Sequence, residues 1–302
     1  MKNPKRWMGV LLLLAGLAIF LSPDLYTFWL RSSTDQRIAA FQTEHEKGQA
    51  VQADSSESPT LPYEELHSQA QAYNQKLFQE NQSEMTDAWA FEQQHFQLEL
   101  ENAMFGYIQI PAMEVTLPLF LGASTENMAK GAVVLGETSL PIGGENTNSV
   151  IAGHRGYQGA PYFREIERLQ MGDKVFVTNP WETLVYQVVS FSVIQPNDSE
   201  AIRIQPGKDM VTLMTCHPYR GHGKYRYLVY CQRMQNTLEK PEISERPSTV
   251  QTETSSTSEA VLFSSSQDEI QREKVFRYLG AIIILMLLFM TLRSTRTHPS
   301  GS

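Results

Sequence analysis

Seven short runs rich in β-branched and aromatic residues crowd the stretch 104–236. They are "GYIQIP", "VTLPLF", "SVIAGH", "DKVFVTN", "LVYQVVSFSVI", "VTLMTC" and "YRYLVYCQ". Turn signals such as "PIGGEN", "TNPWE" and "QPNDSE" separate them, so the runs read as strands joined by tight connections. One short helical stretch, "APYFREIERL", interrupts the series. So many short strands in so little chain predict an all-β barrel or sandwich.

The ends of the 302-residue chain have a different character. The N-terminus carries an apolar run from Trp7 to Leu21 behind Lys2, Lys5 and Arg6, and the C-terminus an uncharged run from Tyr278 to Leu292 ahead of Arg293 and Arg296. Each is short of the ~20 apolar residues that span a bilayer. Flanking Trp7, Arg277 and Tyr278 extend both into the interface. The outer basic residues then hold both termini in the cytoplasm and the middle of the chain outside. The first run also has the length of a signal-peptide core. It lacks a small-residue cleavage site before Asp24 and is read as a retained anchor. The predicted organisation is an anchor over 1–30, a helical segment over 31–103, the β domain over 104–236, a spacer over 237–273 and a terminal membrane helix over 274–302. Within the second segment, 48–62 reads as a linker. Leu66, Ala70, Tyr73 and Leu77 recur at helical spacing, and a further helix is expected near Ala90–Ala103. Residues 241–271, rich in Ser, Thr and Glu, have no packable face.

A formal net charge of −8 argues against nucleic acid as a partner. There is no phosphate-binding loop, no dinucleotide fingerprint and no His/Cys cluster at metal-ligand spacing, so neither cofactor nor metal is expected. The only cysteines are Cys216 and Cys231. Outside the cell such a pair is a candidate disulfide between neighbouring strands.

The alternative is chemistry at Cys216, which ends the run "VTLMT" and would stand at a sheet edge. His154 follows "SVIAG", and Arg226 opens "RYLV". A cysteine nucleophile needs a proton-transfer partner and a donor for the developing oxyanion, and a His and an Arg supply those two functions. Taken singly, each residue also has an ordinary role: a buried thiol, a turn histidine and a solvated strand end.

The string "TLMTCHPYRGHGKYRYLV" resembles the sortase signature, in which TLxTC is followed by an Arg-led strand, and "GGENTNSVIAGHRG" resembles the histidine segment of that family. "GYIQIPAMEVTLPLFLGAS" and "FREIERLQMGDKVFV" are similar to class C, the pilin-polymerising sortases. The resemblance implies a closed eight-stranded β-barrel with short helices, an N-terminal helical and lid segment, and terminal transmembrane segments. It implies a cysteine transpeptidase acting on pilin subunits that bear an LPXTG-like sorting signal and acceptor lysines. Cys216 would be the nucleophile, His154 the general acid and Arg226 the oxyanion donor. Arg220 and Lys224 compete with Arg226, and His217 and His222 with His154, the two histidines being expected in a loop near the cleft. Thr215 either orients substrate or is a plain strand residue, and Cys231 is a buried small hydrophobe. Class C lids carry Asp-Pro-aromatic; here "TDAWAF" puts Ala88 at the proline, leaving Asp87 and Trp89 as the lid pair or as a helix cap and a core ring. A wall-anchoring sortase, a hydrolytic cysteine peptidase and a non-enzymatic, membrane-tethered assembly factor are the rival readings.

Overall fold

The computed structural model describes residues 4–54, 62–85, 96, 104–157, 160–221, 223–234 and 266–296. It divides into two units. The first contains the N-terminal part of helix α1 (Pro4–Asp54) and all of helix α4 (Gln267–Arg296). Here Gly280 lies so close to Phe20 that a Cβ would come within 2.9 Å of its ring. Leu11, Leu12, Ile19, Leu279, Ile283 and Phe289 are exposed on these helices. Among the described residues no helix is long and apolar enough to cross a membrane.

The second unit is a closed barrel of eight strands in the order β1-β2-β3-β4-β7-β8-β6-β5. The strands are β1 (Met104–Ile110), β2 (Val115–Leu121), β3 (Ala132–Val134), β4 (Thr147–Ala152), β5 (Lys174–Thr178), β6 (Thr183–Ile194), β7 (Asp209–His217) and β8 (Tyr225–Arg233). Seven coincide with the runs read from the sequence. The eighth, β3, is three residues long and too short to show alternation. Most neighbours are antiparallel, but β2 with β3 and β4 with β7 are parallel.

The parallel pair β4–β7 is buried on both sides, and its polar residues are buried with the apolar ones, Thr212 donating to Asn148 Oδ1 at 2.8 Å across the pair. Val211 and Leu213 face the barrel interior with Phe105, Ile108 and Ile151. Met214 faces an outer layer with Val150, Leu228, Ile38 and Met128. Ile38 belongs to the C-terminal part of α1 and Met128 to helix α3 (Thr125–Lys130). Helix α2 (Pro62–Gln79) contributes the fully buried Ala70, packs Leu66 and Tyr73 on the same core, and docks through Asn74. That amide accepts from Leu140 N (2.7 Å) and donates to Leu140 O (3.0 Å), as a strand neighbour would.

Several local expectations change. The helix of α1 continues through residue 54, into the segment read as a linker. "APYFREIERL" forms turns and one 3-10 turn (Ile166–Arg168), because Tyr162 adopts φ +40°, which no right-handed helix accommodates. Helix α3 was not expected; its cue is Ser124, whose hydroxyl accepts from Asn127 N. The helix expected near 90–103 lies almost wholly outside the described residues, as does most of the 241–271 spacer.

Candidate active site

Three strand ends meet at one rim of the barrel because of the parallel pair. Parallel neighbours bring their C-terminal ends to the same side, and an antiparallel neighbour starts there. Strands β4 and β7 run in register to Ala152↔Met214, and the ladder continues with Gly153 N donating to Met214 O at 3.1 Å. His154 and Cys216 are each two residues beyond that last pair. On the other flank Cys216 is the direct cross-strand partner of Arg226. The structure thus brings His154 to the same rim as Cys216 and Arg226, which face each other across one hairpin.

Cys216 is half-buried with a free thiol, whereas Cys231 is fully buried within β8 and also free. Burial pushes the Cys231 thiol well up, which keeps it protonated and unreactive. No disulfide links the two.

Arg226 is 7% exposed. Its Nη1 donates to Gly223 O (2.7 Å) and Tyr225 O (3.2 Å). Gly223 has φ +73°, and a Cβ there would lie 3.3 Å from that Nη1 and 3.4 Å from Cys216 Sγ. The bare backbone of this turn is what lets guanidinium and thiol share one small space. The competing cations sit elsewhere: Arg220 and Lys224 are exposed on the β7–β8 loop, over the rings of Tyr219 and Tyr225.

His154 is held by aromatic rings. Tyr157 stacks on it at 4.6 Å and 14°, and Tyr162 meets it edge-on at 6.1 Å. Tyr162 is itself fixed by its hydroxyl donating to Ala129 O. Burial of the imidazole lowers its pKa below the ordinary value of 6.5. Since the unfolded chain then binds more protons than the folded one, this group costs stability as pH falls through the ordinary histidine value. Tyr157→Ala re-solvates the ring, which favours the charged form. The midpoint of the His154 ring signals in an NMR titration is expected to rise towards 6.5; an unchanged midpoint would show that Tyr157 does not shield the ring.

Thr215 is fully buried, and its hydroxyl donates to Gly153 O at 2.7 Å. It therefore ties β7 to the residue before His154 and does not face the cleft. His217 is not a loop residue: it is the last residue of β7, 3% exposed, with Nδ1 3.4 Å from Glu167 Oε1. His222, Asp87 and Trp89 lie outside the described residues. Sequence reasoning missed Arg155 and Glu167, a buried ion pair beside His217. The only cue in the chain was a charged residue directly after His154. Among the described residues no group of three or more His, Cys, Asp or Glu is placed to hold a metal.

A family profile described as a sortase domain matches residues 108–234. The solved structure of sortase C-1 from Streptococcus pneumoniae is 33% identical, with all of its chain and 67% of this one superposed at a TM-score of 0.56. The chain belongs to the sortase family. Members of that family are cysteine transpeptidases. Sortase C1 of pilus island 1 from Group B Streptococcus is 26% identical, with 69% of this chain and 96% of that one covered at a TM-score of 0.59. Sortase D of Bacillus subtilis is 28% identical over 131 residues, 43% of this chain and 63% of the relative, so this sortase spans less than two thirds of that protein. Both of these solved structures are of the C type, and the profile covers all three residues at the rim.

Proposed function

We propose that this sortase is a pilin-polymerising transpeptidase. The observation that carries the reading is the register that sets Cys216 opposite Arg226 with His154 at the end of the adjoining parallel strand. The likeness to sortases whose names tie them to pili supports the choice of substrate.

In this mechanism Cys216 Sγ attacks the Thr–Gly carbonyl of an LPXTG-like signal. Arg226 stabilises the oxyanion, and His154 hands a proton to the departing glycine amine. Expulsion of that amine leaves a thioester on Cys216. A lysine amine of the next pilin subunit then attacks the thioester, losing a proton and releasing the thiol, which exchanges one amide for an isopeptide bond. With the His154 pKa lowered, only a minority of molecules carry the imidazolium near neutral pH.

The exposed apolar side chains of the terminal helices, flanked by basic residues, support attachment of both ends to the bilayer with the barrel on the outer side. Protease added to intact protoplasts should then digest the barrel, and its protection would overturn this placement.

Mass spectrometry of the protein incubated with an LPXTG-like peptide and a lysine-bearing pilin tests the reaction. A thioester at Cys216 that resolves into an isopeptide-linked product is expected. Product with a peptidoglycan amine alone would make the enzyme a wall-anchoring sortase, release to water alone a peptidase, and no adduct would remove the enzymatic reading.

A further inference from the structure

Beneath the rim, charge is buried where the proposed reaction does not use it. Arg155 and Glu167 form an ion pair whose side chains are 3% and 7% exposed. A buried pair of this kind costs much of its Coulombic gain in desolvation, and apolar residues of similar volume hold a fold equally well. Stability alone therefore does not account for it.

The geometry points to Arg155 as a positioning residue for both Cys216 and His154; the inference rests on the transpeptidase reading above. In a parallel ladder the rungs are evenly spaced. Gly153 N bonds Met214 O, so the next N–H donated across from this side would run from residue 155 to Cys216 O. The chain bends at Arg155 and Gly156, and the rung is made instead by the Arg155 side chain, with Nη1 donating to Cys216 O at 3.3 Å. The same guanidinium donates from Nε to Arg164 O at 3.2 Å and pairs through Nη2 with Glu167. His217 Nδ1 lies 3.5 Å from Arg155 Nη1, and the Tyr227 ring lies 5.9 Å from the guanidinium.

One forked side chain thus joins three pieces of backbone: the turn that carries His154, the segment 164–167 and the nucleophile itself. His154 is further tied to the residue just before that segment, Phe163 N donating to His154 O at 2.9 Å. Between the Gly153 rung and the Arg155 rung, His154 and Cys216 have little freedom to drift apart. A lysine keeps the charge opposite Glu167, but a single ammonium has no fork to reach the Arg164 carbonyl, the Cys216 carbonyl and Glu167 together.

Two variants separate positioning from packing: Arg155→Lys, and the charge-free pair Arg155→Met with Glu167→Gln. Thermal midpoint, alkylation of Cys216 and thioester formation from an LPXTG-like peptide are measured on each full chain. Both variants are expected to melt close to the parent and to keep KM. Their kcat for thioester formation should fall by about 100-fold, the scale for a misplacement of about 1 Å. A folded variant of either kind whose kcat stays within about threefold of the parent overturns the inference while the transpeptidase reading stands. Should the paired variant not fold, Arg155→Lys decides by the same criterion. If the parent forms no thioester, the transpeptidase reading fails and this inference falls with it, whatever the alkylation rates.

Discussion

Cys216→Ala is expected to abolish thioester formation and transfer to lysine while leaving the barrel folded. Among the described residues, the thiol is the nucleophile directly opposite Arg226, its cross-strand partner. Cys231 offers no substitute: it is fully buried in the following strand, and burial holds its thiol protonated. Removing a catalytic nucleophile costs on the order of a millionfold in kcat in well-studied triads, so the variant should show only background. The fold should tolerate the change because Cys216 is half-exposed at a strand end, and one lost sulfur there opens no enclosed cavity. Intact-mass spectra with the sorting peptide, alongside a thermal melt, check both halves. An adduct persisting in a folded Cys216→Ala protein would place the chemistry elsewhere.

Gly106→Ala is expected to damage the barrel itself. Gly106 lies in β1 beside the irregular pairing between Met104 and Gly106, and β1 closes the barrel against β5. A Cβ there would stand 1.9 Å from Thr178 O and 3.2 Å from Asn179 Cα, both backbone atoms. That backbone cannot easily yield. Asn179 Nδ2 donates to Pro141 O, and its Oδ1 accepts from Trp181 N and Glu182 N, each at 2.9 Å. Alanine gains about 0.4–1 kcal/mol by restricting the unfolded chain. The clash outweighs this, and a net loss above about 3 kcal/mol places it among the severe single changes. For a unit of this size the thermal midpoint should drop by roughly 10 °C. Gly207→Ala is the control, with φ +75° but no atom within 4 Å of the added Cβ. It should cost only the backbone strain, about 1–2 kcal/mol. Equal midpoints for the two variants would show that β1 and β5 do not approach so closely.

The two kinds of information separate along physical lines. Strand identity is a local property. Alternation and β-branched content are visible in runs such as "VTLMTC" and "LVYQVVSFSVI", whereas three-residue β3 is too short to carry a period. The thiol, imidazole and guanidinium were legible as candidates because each stands at a strand end beside a turn, and the resemblance to the sortase signature gave them their expected roles. The lid pair, Asp87 and Trp89, lies outside the described residues.

What pairs with what is a non-local property, and no periodicity encodes it. That β4 runs parallel to β7 brings His154 to Cys216, and it was decided by packing two doubly buried strands side by side. The same packing turned the Thr215 hydroxyl inward to Gly153 and drew His217 into the strand beside Glu167. It also set Arg155 where a ladder rung was missing. Residue types and local pattern offered the candidate groups, and the resemblance to the sortase signature singled them out. Only the closed barrel, in which each buried polar group must find a partner, determined which of them meet and what holds them there.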